Sequence, residues 1–230
     1  MSSEPARRRG RPRGGESGLT REGILATALA LVDEHGLAAL TMRRLAGELS
    51  ADPMSIYHHL PNKAAIVAGL VQMVFAELRL PDDPGEGWEE RVRAWARAYR
   101  DLATAHPHLV LQIVTDVAAV SQAAVLVNEP LYAALEAAGL RPQAIVHAAG
   151  LLVDFVNGHA LAAAGLPAGE QGREAMDAVL AGQDPQRVPV TLRVHAALVG
   201  AGEGGGFEAG LDIVVAGVRA TATRQVATAG

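Results

Sequence analysis

Residues 41–63, TMRRLAGELSADPMSIYHHLPNK, place two short amphipathic segments on either side of a Ser50-Ala51-Asp52-Pro53 turn, and Asn62-Lys63 opens a third segment. Neither segment is long enough to be a stable helix alone, because nucleation is unfavourable and packing must supply the stability. The stretch therefore commits the chain to a helical scaffold that presents a short polar helix to a partner. Thr41 suits an N-cap, and Leu45, Ala46 and Leu49 recur on one face with Arg43 and Arg44 displaced from it. Pro53 stands where the next helix begins, since a fixed φ and a missing N–H cost nothing in a first turn. Ile56 and Leu60 make that helix's inward stripe, which leaves Met54, Ser55, Tyr57, His58 and His59 for its other faces. This is the pattern of a helix-turn-helix, a motif that lays its second helix in the major groove of DNA.

The run Leu40-Thr41-Met42-Arg43-Arg44-Leu45-Ala46, then Ser55-Ile56-Tyr57-His58-His59-Leu60, then Asn62-Lys63 before an apolar helix, makes residues 20–70 resemble the DNA-binding domain of the TetR family of bacterial transcriptional regulators. The resemblance implies that Arg43 reaches a base edge and that Pro53 and Met54 touch bases. It further implies that Ser55, Tyr57 and His59 hold phosphates and that Lys63 holds one from the next helix. Thr41 and Arg44 join this DNA-facing set. Pro53 and Met54 carry no strong hydrogen-bonding group, so their base contacts are apolar, for example with a thymine methyl. The operator sequence is therefore not legible in these residues.

Charge divides along the chain. Residues 1–63 hold nine Lys/Arg against seven Asp/Glu, net +2, whereas the remainder holds 11 against 18, net −7. A basic first third on an acidic remainder suits contact with DNA through one end. Residues 1–18 carry Arg7, Arg8, Arg9, Arg11 and Arg13 among Gly, Pro and Ser without apolar periodicity, and are expected to be a disordered arm in the absence of a partner. Arg9-Gly10-Arg11-Pro12 resembles the core of an AT-hook, so Arg9, Arg11 and Arg13 are candidates for the narrow minor groove of A·T-rich DNA, whose negative potential attracts inserted Arg. A solubilising basic tail is the equal alternative.

Helix signals then follow one another closely. Thr20 caps a segment with Ile24, Leu25, Ala28, Leu31 and Val32 inward, and Gly36 followed by Leu37 is expected to close it as a Schellman stop. Asn62 caps a linking helix over 62–80, and the breakers from Pro81 to Gly87 mark a boundary. Trp88, Val92, Trp95, Ala96, Tyr99 and Leu102 trace the next stripe. Further helices are expected near 107–114, 124–138, 142–164, 173–180, 189–198 and 207–226, with no strand. The expected organisation is all-α: an arm over 1–18, a three-helix DNA-binding domain within 19–80 that includes the linking helix 62–80, and a helical bundle over 86–230. Gly200 to Gly206 suits a flexible loop, since it lacks the preceding strand and the Lys of a phosphate cradle.

The resemblance implies that the bundle dimerises through its two long late helices and holds a small effector. Ala148, Ala149, Ala160, Ala163 and Ala164, with Gly210 and Gly217, would permit close helix approach, either to a second copy or within the core. His147, Asp154 and Asn157 interrupt an otherwise apolar helix, and buried polar groups need hydrogen-bond partners that a ligand could supply. Trp95, Tyr99, His147, Asp154 and Asn157 are the candidate effector residues, with Phe155, Met176 and His106 as further walls. The competing roles are pairing across a dimer interface for Asp154 and Asn157 and simple core packing for Trp95.

Catalysis finds little footing. His106-Pro107-His108 has no third metal ligand nearby, His58 and His59 diverge by about 100° on a helix, and there is neither a Gly-x-Ser-x-Gly elbow nor any Cys. No metal or other cofactor is expected. Without an apolar leader at the N-terminus or an uninterrupted apolar run near the ~20 residues of a membrane span, a soluble cytoplasmic protein without a membrane partner is expected. The expected function is a homodimeric repressor that occupies an inverted repeat in double-stranded DNA and is released by a small-molecule effector. A constitutive DNA-architectural protein is the alternative.

Overall fold

The computed structural model describes residues 19–81, 87–109, 117–165, 170–201 and 206–227. Among them every regular element is helical: α1 (Arg21–His35), a 3-10 turn (Leu37–Ala39), α2 (Met42–Glu48), α3 (Pro53–His59), α4 (Lys63–Phe75), α5 (Trp88–Ala105), α6 (Val117–Ala137), α7 (Pro142–Gly165), α8 (Glu170–Ala181), α9 (Pro189–Ala201) and α10 (Gly206–Ala227). The chain divides into two compact units, Met1–Ile66 and Val67–Gly230, with the division inside α4. The arginine-rich arm, most of the helix expected near 107–114 and the centre of the glycine-rich stretch lie outside the described residues.

In the first unit local chemistry sets each start. Thr20 Oγ1 accepts the Gly23 N–H at 3.0 Å, Thr41 Oγ1 accepts that of Arg44 at 3.2 Å, Asp52 Oδ1 that of Met54 at 2.7 Å and Asn62 Oδ1 that of Ala65 at 2.8 Å. Each satisfies an otherwise orphaned first-turn donor. Ile24, Leu25, Ala28, Leu31 and Val32 of α1 are buried with Leu45 and Ala46 of α2 and Ile56 of α3; α1 packs on α2, and α2 on α3.

The stops differ from expectation. Gly36 does take a positive φ of 76°, but its ψ of 164° is far from left-handed helix, and its N–H only completes a regular turn onto the Val32 carbonyl. The Schellman stop is instead at the end of α2. Ser50, at φ 49°, donates to the Gly47 carbonyl at 3.1 Å while Ala51 donates to that of Ala46 at 3.0 Å. An L-residue in that left-handed conformation is strained by ~1–2 kcal/mol relative to glycine, offset in part by glycine's greater freedom when unfolded. Ser50→Gly is therefore expected to stabilise the first unit by ~0.5–1 kcal/mol, read as a higher urea midpoint at unchanged slope. A lower midpoint would mean that the Ser50 side chain supports the turn.

The linking helix is shorter than the expected 62–80. It ends at Phe75, where Glu77 and Leu78 turn onto the carbonyls of Val74 and Phe75. Arg79 Nη1 then caps the Ala76 carbonyl, and the approach to Pro81 disfavours helical geometry at Leu80.

In the second unit α5 is central, packing on α6, α7 and α10. Val92, Trp95, Ala96, Tyr99, Leu102 and Ala103 of α5 are buried against stripes such as Leu131 and Leu135 of α6, Leu152 and Val156 of α7, and Leu211 and Val215 of α10. Helix α6 begins seven residues earlier than expected and carries Pro130 inside it. Within the helix expected over 142–164, Pro142–Ala163 is long and apolar enough to cross a membrane by length and composition, contrary to the expectation that no apolar run approaches that length. His147, Asp154 and Asn157 are the polar interruptions within it. Its apolarity serves two faces, one inside the bundle and one open.

Candidate nucleic-acid interface and effector site

Helix α3 is fastened by Ile56, 0% exposed, and Leu60, 2% exposed, with Asp52 capping its first turn and Pro53 half-buried. That anchoring turns Ser55, Tyr57, His58 and His59 outward and leaves the Met54 thioether 62% exposed. Arg43 and Arg44 are also exposed, and neither has an ion-pair partner among the described residues. Thr41, exposed too, spends its oxygen on the α2 cap. The expected DNA-facing residues thus lie on the surfaces of α2, α3 and the start of α4, supported by one small core. Lys63, expected to hold a phosphate, donates from Nζ to the Leu37 carbonyl at 3.0 Å. Residues 19–66 hold four Lys/Arg against five Asp/Glu, so the net positive charge of this end resides in the five arginines of the arm.

The five candidate effector residues separate into two groups. Trp95 is buried, donates from Nε1 to the Val127 carbonyl at 2.8 Å and lies 5.0 Å from the Tyr99 ring. Tyr99 donates from its hydroxyl to Asn157 Oδ1 at 2.8 Å, and Asn157 is itself 5% exposed. Burial pushes the Tyr99 phenol up to about 12, opposed by its bond to Asn157. Phe75 stands 6.3 Å from the Tyr99 ring, and with Val74, Leu102, His106 and Leu109 these residues close around a void of about 10 Å³, enough for one water at most. His106 lies 3.5 Å from Glu77.

His147 and Asp154 do not join them. Both are exposed, because the stripe Ala149, Leu152, Val156 and Ala160 turns toward the core and, at 100° per residue, positions 147 and 154 fall on the opposite side of α7. Asn157 lies on the flank between and so reaches Tyr99. The expected walls fare unevenly: His106 borders the void, Phe155 stacks on Phe207 at 5.3 Å, and Met176 is exposed on α8.

His147 instead borders an open apolar groove of about 640 Å³ between α7 and α10, with Leu140, Ala144, Leu151, Ile213 and Gly217. Ile213 is 74% and Leu151 58% exposed. Of the small residues, Ala148 and Gly217 line this groove, whereas Ala149 and Ala160 are core. Gly210 lies so close under the Phe155 ring that a Cβ would come within 2.6 Å of it. Ala163 is exposed, and the Ala164 side chain lies outside the described residues.

Sequence reasoning missed the clamp between α5 and α10. Arg219 grips Glu89 at 2.8 and 2.7 Å, Arg93 meets Asp212 at 2.6 Å, and Arg97 grips Glu208 at 3.0 and 2.8 Å. Positions rise on one helix as they fall on the other, so the helices run antiparallel. The bond from Arg97 holds the Glu208 carboxyl below its ordinary range. Glu89, Arg93 and Arg97 at four-residue spacing were the available signal, but nothing local names their partners.

Two family models match the chain: "Bacterial regulatory proteins, tetR family" over residues 24–70, and "Tetracyclin repressor-like, C-terminal domain" over residues 80–222. An HTH-type transcriptional regulator of Saccharopolyspora erythraea is 31% identical over 140 residues, which cover 61% of this chain and 59% of that protein. The HTH-type transcriptional repressor DrrR1 of Streptomyces coeruleorubidus is 33% identical over 99 residues, 43% of this chain and 37% of its own. The chain thus matches less than two thirds of the length of either relative. Among solved structures, ActR of Streptomyces coelicolor in complex with actinorhodin has a TM-score of 0.77 at 28% identity, with 90% of this chain and 99% of that one covered.

Proposed function

The chain belongs to the TetR family of bacterial transcriptional regulators, and on that premise we propose that it is a repressor that binds an inverted-repeat operator as a homodimer and is released by a small-molecule effector. The observation that carries the DNA-binding half is the exposed face of α3, held out by the buried Ile56 and Leu60 beside the exposed Arg43 and Arg44. Arg43 reads a base edge, Met54 and Pro53 make apolar base contacts, and Ser55, Tyr57 and His59 take phosphates.

Selection from a random duplex pool should enrich a two-fold repeat whose half-sites lie about one helical turn apart. On that duplex Arg43→Ala is expected to cost ~1–3 kcal/mol and to relax one base pair per half-site. Equal effects on cognate and scrambled DNA would remove Arg43 from the base-reading role. Because residues 19–66 lack net positive charge, deleting residues 1–15 should weaken binding, most where the flanks are A·T-rich; unchanged affinity near physiological salt would make the arm a solubiliser.

The groove between α7 and α10 is the proposed seat of the second copy, since Ile213 and Leu151 expose apolar surface on both its walls. Sedimentation should give a dimer, and a monomer at micromolar concentration would exclude that seat. The effector is proposed to lodge by Trp95, Tyr99 and Asn157, a buried polar cluster whose small neighbouring void would have to widen to admit it; the structure of ActR in complex with actinorhodin is the precedent for a ligand-bound relative. It must bind an altered arrangement better than the DNA-competent one. Since α4 runs from the first unit into the second, its displacement would carry the response. A co-purified ligand identified by mass spectrometry should lower operator affinity ~10-fold or more, within the ordinary range of coupling, without splitting the dimer. Unchanged affinity at saturation would sink effector release.

A further inference from the structure

Lys63 opens α4, where a cation sits at the positive end of the helix dipole and is locally disfavoured. Its ammonium reaches back 26 residues to the Leu37 carbonyl at 3.0 Å, an oxygen that already accepts the Leu40 N–H at 3.2 Å. Leu37–Ala39 is the 3-10 turn joining α1 to α2; it follows Gly36 at its positive φ and leads directly to buried Leu40 and to Thr41, the cap of α2. The side chain therefore ties the start of α4 to the root of the helix that carries Arg43 and Arg44. An ammonium has three donors, so one tie to Leu37 leaves two for another oxygen.

We propose that Lys63 is a positioning residue with a double use: in DNA-free protein it fastens α4 to the α1–α2 turn, and on DNA its remaining donors hold a phosphate. The phosphate is then referenced to α2 as well as to α4, which sets the register in which Arg43 meets a base. This rests on the DNA-binding function proposed above. The tie precedes DNA, so it is preorganisation and is measurable without DNA.

The test compares Lys63→Met, which keeps the aliphatic stem without a donor, with Lys63→Arg, which keeps charge and donors. In DNA-free protein, Lys63→Met should speed hydrogen exchange of the Ala39 and Leu40 amides at least ~5-fold while α1 amides hold. On a random-sequence 30-base-pair duplex it should lower the salt slope by about 1 for each phosphate no longer neutralised. Lys63→Arg should restore both. If Lys63→Met melts too early to compare, Lys63→Gln gives the same pair of readouts. Unchanged exchange with a reduced slope would leave only a phosphate contact, and faster exchange with an unchanged slope only a structural tie; either overturns the double use. Failure of the unmodified protein to bind any duplex would sink the DNA-binding reading itself, whereas normal binding with neither readout moved would sink this inference alone.

Discussion

Ile56→Ala is expected to cost the first unit ~2–5 kcal/mol and to abolish selective DNA binding with it. Helix α3 has seven residues, too few to persist without packing, and its inward stripe consists of Ile56 and Leu60, both essentially inaccessible. Truncating one removes the transfer energy of three carbons and leaves a void beneath the surface that presents Tyr57 and His59. A change of this size is a large share of the ~5–15 kcal/mol typical of whole domains. Met54→Ala on the same helix is the control: that side chain is exposed, so thermal stability should hold while base selectivity changes. Urea melts followed by hydrogen exchange in α1 to α3 would check both. If Ile56→Ala kept its stability and its DNA selectivity, α3 would not be packing-dependent as argued.

The second large effect is expected at Tyr99. At neutral pH, Tyr99→Phe removes the donor to Asn157 and leaves a buried amide oxygen unpaired, at ~1–3 kcal/mol. Alkaline pH should narrow the difference. The folded phenol is pushed up to about 12 by burial, above an unfolded value near 10, so its contribution is whole below pH 10 and is lost as pH rises through 12. Two units correspond to ~3 kcal/mol. The unmodified protein should therefore lose stability between pH 10 and 12 that Tyr99→Phe does not, and the two curves should converge. Parallel curves in urea melts at pH 8 and pH 11.5 would mean that the phenol is not desolvated.

Most of the first unit was legible because its information is local. Thr20, Thr41 and Asn62 cap helices through partners three residues away, and the buried stripes of α1, α2 and α3 repeat at helical spacing. The misplaced Schellman stop shows the limit of residue preference: glycine permits a left-handed turn without requiring it. At Gly36 the following 3-10 turn imposed another ψ, while the packing of α2 on α3 put Ser50 into the conformation that glycine favours.

The candidate effector residues fall into two groups that the sequence did not distinguish. Asn157 was marked by being polar within an apolar helix and Tyr99 and Trp95 by being large on the inward stripe of α5, and the fold brings them together. His147 and Asp154 carried the same mark and face the other way, since periodicity says which residues share a side of α7 but not which side the bundle covers. By itself, the sequence determined the helical class, the capped starts and buried faces of α1 to α3, and the resemblance that places the chain among DNA-binding regulators. These rest on interactions between residues one to four positions apart. Tertiary structure alone decided the outward turn of His147, the tie of Lys63 to Leu37 and the pairing of Arg97 with Glu208. Each joins or separates groups distant in sequence, and a charge or a polar atom carries no record of which distant partner the packing of helices will bring to it.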